Sequence, residues 1–256
     1  MAKSRAASRK VPLPQLPKNF IYGINQVAEA LAAGQLRRLY LSVAGSPRLA
    51  ALAERAGAAG IAVQILEEAP WYPALKGCAH QGAAGVTRLF TGALLAAAVA
   101  RLPEPAAVLL LDGVNDPQNL GAAIRSAAAA GAAVVLPQHH AAPITATVHK
   151  ASAGLTYRTP VVLGENLAQA MDYLKQRGYW VACLDAHAGE SVFRFEFPRR
   201  IAFIAGSEER GVRRLLREKS DFRLTIPMQP GVDSLNLGVA AALALFSFRA
   251  FWERAG

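Results

Sequence analysis

A chain of 256 residues, 53% of them hydrophobic, exceeds one average domain and carries ample material for a buried core; this excludes bulk disorder and favours two domains. The net charge of +10 is uneven, because residues 1–88 hold 11 Lys/Arg against 4 Glu and no Asp (+7), whereas residues 89–256 hold 17 against 14 (+3). Cations gathered at one end point to a polyanion partner, since phosphate contact and counterion release reward clustered charge; a solubilising surface is the plainer alternative.

Cysteine and histidine usage narrows the class further. Cys78 and Cys183 stand far apart with no CxxC, and the histidines include one adjacent pair, His139-His140, but no HxxxH or HExxH. A disulfide framework or a metal site is therefore not expected, and a reducing cytoplasm fits. The start, MAKSRAASRKVPLPQLPK, lacks an apolar core of the secretory type, and the longest apolar run, Ala93 to Ala100, is too short to span a bilayer. The expectation is a cytoplasmic protein with no membrane segment.

Residues 1–18 read as a flexible basic tail with Lys3, Arg5, Arg9, Lys10 and Lys18 between prolines. A helix is expected over Gln26–Ala33, a strand over Arg38–Val43, a helix over Pro47–Ala59 closed by Gly60, and a strand over Ala62–Leu66, with β/α alternation to about Arg88. Residues 89–105, alanine-rich and ending in Pro103-Glu-Pro105, read as a connector. Ala107–Leu111 is a continuous apolar run, as a parallel strand covered on both faces requires. Helices are then expected near 119–130, 144–153, 166–177, 210–217 and 235–253, interleaved with strands near 132–136, 160–163, 179–184, 201–205 and 222–226. This alternation implies a doubly wound, Rossmann-like parallel sheet. Ligands of such sheets bind at the C-terminal strand ends, so the loops after 107–111, 201–205 and 222–226 are the places to look for chemistry.

The first loop leads through Asn119, a candidate helix N-cap, and Gly121 to Arg125 one turn later. Arg125 is expected to lean back over the bare surface of Gly121 toward the sheet edge. An ordinary cap and a solvated arginine explain the same residues. In the second loop, Gly206 follows the strand so that a ligand can approach the backbone, and Glu208 opens a helix, where an acidic residue is favourable in any case. The third loop runs from Ile226-Pro227-Met228 to Ser234-Leu235-Asn236; Ser234 or Asn236 can cap the last helix, or hold an anion or nucleotide there.

Together, Asn119-x-Gly121-x-x-x-Arg125, Gly206-Ser-Glu208-x-x-Gly211, and Ile226-Pro227-Met228 with Ser234-Leu235-Asn236 resemble the motifs of the SpoU family of RNA 2′-O-ribose methyltransferases, within the knotted SPOUT class. Tyr22-Gly23-Ile24-Asn25 and His80-Gln81-Gly82 look like that family's amino-terminal RNA-binding domain, which is similar to ribosomal protein L30e. Within the family the chain is most similar to the branch that methylates a guanosine of 23S rRNA in the peptidyl-transferase region. It departs at Asn25, where many members carry His, and at Leu237-Gly238, where Val-Ser is common. A tRNA target and a non-catalytic RNA-binding protein are the alternatives. Another Rossmann enzyme is disfavoured, because neither GxGxxG nor GxxxxGK[ST] occurs.

The resemblance implies an L30e-like RNA-binding domain over residues 19–88 and a SPOUT catalytic domain over 106–256 with a C-terminal trefoil knot. It further implies S-adenosylmethionine as cofactor, held by the backbone of Gly206, Ile226 and Leu235, and a homodimer that completes the site. Arg125, Asn119, Glu208, Ser234 and Asn236 are the implied catalytic set, in which Arg125 acts as general base or, since a guanidinium does not give up its proton, as a phosphate-binding electrostatic group. Lys18, Arg37, Arg38, Arg48 and Arg88 are the candidate phosphate contacts, each equally readable as surface charge.

Overall fold

A computed structural model describes residues 16–43, 46–67, 75, 77–207 and 209–255. Lys3, Arg5, Arg9 and Lys10 of the basic tail, and Glu208, lie outside the described residues. The chain builds two sheets. The first carries β1 (Phe20–Tyr22), β2 (Leu36–Ser42), β3 (Ala62–Leu66) and β4 (Ala83–Thr87) in the order β1-β4-β2-β3, with helices α1 (Ile24–Ala32) and α2 (Pro47–Ala58). Ser46 starts α2 by accepting from the Leu49 N–H, with Pro47 at the first helical position. Ile21, Val27, Leu39, Leu49 and Leu52 fill the core under this sheet. Regular β/α alternation is not what closes it, because β4 pairs antiparallel with both β1 and β2. At the start of β2 the register against β4 shifts between Leu36 and Arg38, a bulge that leaves Arg37 and Arg38 both exposed on consecutive positions.

The second sheet has seven strands in the order β7-β6-β5-β10-β8-β11-β9, and every pairing in it is parallel. They are β5 (Ala106–Asp112), β6 (Ala133–Pro137), β7 (Val161–Glu165), β8 (Trp180–Leu184), β9 (Glu190–Ser191), β10 (Arg200–Gly206) and β11 (Phe222–Thr225). The expected two-sided cover is present. Leu109 and Leu111 join the core beneath α4 (Pro117–Ala130) and α8 (Leu237–Ala255), while Val108 and Leu110 join Leu167, Met171 and Leu174 of α6 (Leu167–Lys175) on the opposite face. Residues 89–105, read as a connector, carry helix α3 (Leu95–Ala100), whose Leu95 and Ala98 bury into that same opposite face. The alanines that make the segment look featureless let α3 lie close to the sheet.

Helix α5 (Ala146–Ala151) and the 3-10 turn Leu155–Tyr157 form the seam between the sheets. Gly154 passes so close to α1 that a Cβ there would lie 2.9 Å from Glu29 Cβ and 3.0 Å from Gln26 Cα. Lys150 Nζ sits 4.8 Å from the Tyr22 ring centroid, and Arg158 pairs with Glu29. His149 stacks on Tyr157 at 4.7 Å and its Nδ1 lies 2.6 Å from Thr156 Oγ1; burial lowers its pKa to about 4. Among the described residues, no helix is long and apolar enough to cross a membrane.

Candidate functional site

The C-terminal ends of β5 and β10 lie side by side, with Asp112 in register with Gly206. The chain then doubles back: Gly211 N–H donates to Ser207 O at 2.8 Å, and Gly211 takes a left-handed φ of +63°. A Cβ on Gly206 would fall 2.0 Å from Gly211 C and 2.2 Å from Val212 N, so only glycine fits. The expectation that Gly206 keeps space for a ligand is thus amended, since the closest visitor is this chain's own backbone. Asp112 secures the turn. It is buried at 3% exposure and accepts from the Arg213 backbone N–H at 2.9 Å and from Arg213 Nε at 2.7 Å.

Two cavities open on either side of the Ser207–Gly211 turn. The first, of about 320 Å³, is lined by Gly206, Ile226, Ser234 and Leu235, so the three residues expected at the cofactor converge on one space. Leu184, Val212, Leu224 and Met228 supply apolar wall, and Asp185, Glu209 and Asp233 supply carboxylates. The second, of about 560 Å³, is lined by Asn115, Asp116, Asn119, His140, Arg210 and Arg213, and shares Ser207, Glu209, Arg210, Gly211 and Leu237 with the first. Asn236 Nδ2 donates to Asn119 Oδ1 at 2.7 Å, which joins the first and third sequence motifs across 117 positions of chain.

Two local expectations need correcting, and a third is decided between its alternatives. Asn119 is not the cap of its helix. Asp116 is, accepting from the N–H groups of Gln118 and Asn119, because Pro117 fits the first helical position and pulls the start three residues upstream. Asn119 is thereby left free of capping duty and turns to Asn236. Of the two candidate caps for α8, it is Asn236 that accepts, from Gly238 N–H at 2.9 Å and Val239 N–H at 3.3 Å. Arg125 does not lie over a bare Gly121. A Cβ at Gly121 would meet Ala151 Cβ at 2.3 Å and Ser152 N at 3.0 Å, so this glycine seats α5 against α4. Arg125 is exposed two turns into α4, forms no ion pair among the described residues and lies in neither cavity lining. Gly238 makes a similar close passage, 3.0 Å from Ala122 Cβ to its would-be Cβ, which seats α8 on α4.

Sequence reasoning passed over the loop after β8. Asp185 is largely buried beside the first cavity, and burial raises its pKa. The His187 N–H at 2.9 Å and the Arg223 and Arg217 guanidiniums outweigh that and hold it below the usual carboxylate range. Cys183, next to it on β8, is pushed up to about 12 by burial, with the Asp185 charge adding and the two arginines opposing, so it is an inert thiol. An aspartate ending an apolar strand run, Trp180-Val-Ala-Cys-Leu-Asp185, was the available signal.

A parallel sheet with two adjoining cavities at its C-terminal strand edge defines an α/β protein of the class that binds its ligands outside the strand ends. Residues 106–246 match the SpoU rRNA Methylase family. Curated relatives include the 23S rRNA (guanosine-2′-O-)-methyltransferase RlmB of Xanthomonas campestris pv. campestris, 39% identical over 239 residues that cover 89% of this chain and 94% of the relative. The enzyme of the same name from Coxiella burnetii is 36% identical over 234 residues, 88% and 93% of the two chains. A crystal structure of an RNA 2′-O ribose methyltransferase superposes with a TM-score of 0.72 at 26% identity, over 91% of this chain and 88% of the other. The SpoU methyltransferase AviRb from Streptomyces viridochromogenes, in complex with AdoMet, shares the fold with a TM-score of 0.76 at 24% identity, over 93% and 90% of the two chains. The chain belongs to the SpoU rRNA methylase family.

Proposed function

We propose that this protein methylates the ribose 2′-hydroxyl of a guanosine in 23S rRNA, with S-adenosylmethionine in the first cavity and the target nucleotide in the second. The observation that carries the reading is the convergence of Gly206, Ile226, Ser234 and Leu235 on one cavity that shares a wall with a second holding Asn119. The donor set fits the cofactor. A space of about 320 Å³ suits a nucleoside-sized ligand, the apolar wall suits adenine, and the carboxylates of Asp185, Glu209 and Asp233 attract a ligand bearing positive charge. Bound there, S-adenosylmethionine supplies the electrophilic methyl group.

The chain's own task is positioning, because in-line displacement rewards alignment of two partners more than any covalent help. The backbone of Gly206, Ile226 and Leu235 holds the adenosine end. The Asn119–Asn236 pair, with Ser234, orients the ribose. Arg125 binds the phosphate next to it and polarises the hydroxyl, whose proton leaves to a phosphate oxygen or to water, since a guanidinium at ordinary pH is a poor base. Its exposed place on α4 is suited to assembly of the site in a homodimer, which is part of this reading. So is Glu208 as the partner of Arg125, and so is a trefoil knot formed by the last three loops. Residues 19–88 form an L30e-like unit for RNA, supported by the exposed Lys18, Arg37, Arg38, Arg48 and Arg88; 89–105 link it to the catalytic domain over 106–256.

The decisive assay incubates the protein with radiolabelled S-adenosylmethionine and 23S rRNA, then identifies the labelled nucleoside. Labelled 2′-O-methylguanosine is expected, and its absence defeats the reading. Arg125→Ala is expected to reduce transfer by at least about a hundredfold while calorimetry shows unaltered cofactor affinity.

A further inference from the structure

The adjacent His139-His140 pair has no part in the chemistry described above. Both imidazoles belong to the loop after β6. That loop is tied down at each end: Gln138 N–H donates to Glu165 O at 3.1 Å, and Ala142 N–H donates to Val114 O at 2.7 Å in the loop after β5. Between these anchors His140 takes a φ of +63°, a left-handed conformation uncommon outside glycine. His140 lines the second cavity and His139 does not. The His140 side chain is exposed, and among the described residues it makes no hydrogen bond.

An imidazole on a left-handed backbone position, lining a cavity and without a hydrogen-bond partner among the described residues, is available to a partner from outside. The rest of the wall defines that partner's class. Arg210 suits phosphate, as does the outer end of the Arg213 guanidinium beyond the Nε held by Asp112, and the amides of Asn115 and Asn119 suit sugar hydroxyls or base edges. What those groups lack is a flat surface for a base, and the His140 ring supplies one.

We propose that His140 packs its ring against the base of the RNA nucleotide that enters the second cavity, making it a substrate-contacting residue that the cofactor does not touch. This inference rests on the assignment of that cavity to the target nucleotide. The separation from the cofactor follows from the linings, since His140 belongs to the second cavity alone.

The test uses His140→Gly and His140→Asn, because both residues accept a left-handed backbone and neither carries a ring. Full-length variants are compared with the wild type in methyl transfer to a 23S rRNA fragment, in fluorescence anisotropy with the same fragment, and in calorimetric binding of S-adenosylmethionine. Both variants are expected to lose on the order of tenfold in kcat/KM for RNA. Cofactor affinity is expected to stay unchanged, and the melting temperature of His140→Gly to be no lower than the wild type's. Wild-type kcat/KM in either variant overturns the proposal, because a ring contact cannot survive removal of the ring. A wild-type protein that binds the fragment but transfers no methyl group defeats the enzymatic reading instead. In that case anisotropy decides: equal RNA affinity in the wild type and His140→Gly overturns the contact, and a loss on the order of tenfold upholds it.

Discussion

Strand β5 is buried at all seven of its positions, whereas β3, of similar apolar composition, has no buried residue and leaves Ile65 63% exposed. The difference separates a sheet covered on both faces from one whose edge faces solvent. Two-sided burial holds the strand ends of the larger sheet rigidly, and the two cavities sit at those ends. The smaller sheet has a freer surface, on which a bulge sets out Arg37 and Arg38. Rigid chemistry on one sheet and adaptable charge on the other predict that the two can be damaged separately.

The largest effect is expected at the turn between the cavities. Gly206→Ala forces a Cβ into the Gly211–Val212 backbone, which cannot move without losing the Asp112–Arg213 lock. Calorimetry is expected to find no S-adenosylmethionine binding, with the smaller sheet intact. The converse damage is Leu39→Ala in the core of the smaller sheet, costing about 2–5 kcal/mol. It is expected to weaken RNA binding in anisotropy while cofactor binding persists; equal loss of both would show that the sheets do not act separately.

The seam between them is sensitive to acid. His149 has an ordinary pKa of 6.5 that burial depresses to about 4, so the unfolded chain takes up the proton first. Its contribution is complete above pH 6.5 and is lost as pH falls toward 4, by about 3 kcal/mol in total. Urea midpoints measured across that range are expected to fall more steeply for the wild type than for His149→Gln, and parallel curves would contradict this. The smallest effect is at Arg158, which is 63% exposed in its pair with Glu29. Arg158→Ala is expected to shift stability by only about 0.2–1 kcal/mol in the same titration, with less difference at high salt.

Several features were legible because short-range patterns determine them. The apolar run at β5, the Pro47 start of α2 and the Gly60 that closes it each follow from neighbours within one turn of chain. The second and third motifs pointed to Gly206, Ile226, Ser234 and Leu235, and these do share a cavity. The misreadings have a common origin. Asn119 and Asp116 are both good caps, and the choice fell to the residue that leaves Asn119 facing Asn236, a partner 117 positions away. Gly121 and Gly206 look like open space in a sequence, yet the first is filled by α5 and the second by the turn that doubles back just after it.

What the sequence determined by itself is most of the elements (α3 and the short β1 and β9 excepted), the basic bias of the first third and the three loops that carry the motifs, since these depend on local periodicity and residue chemistry. The strand order was decided by tertiary structure alone. It inserts β8 between β10 and β11 and so brings Asp185 to the first cavity, a neighbourhood that no spacing along the chain encodes. The same is true of the antiparallel β4 and of His140. Pairing and close passage are settled by which surfaces must leave water together, and that is a property of the whole packed molecule.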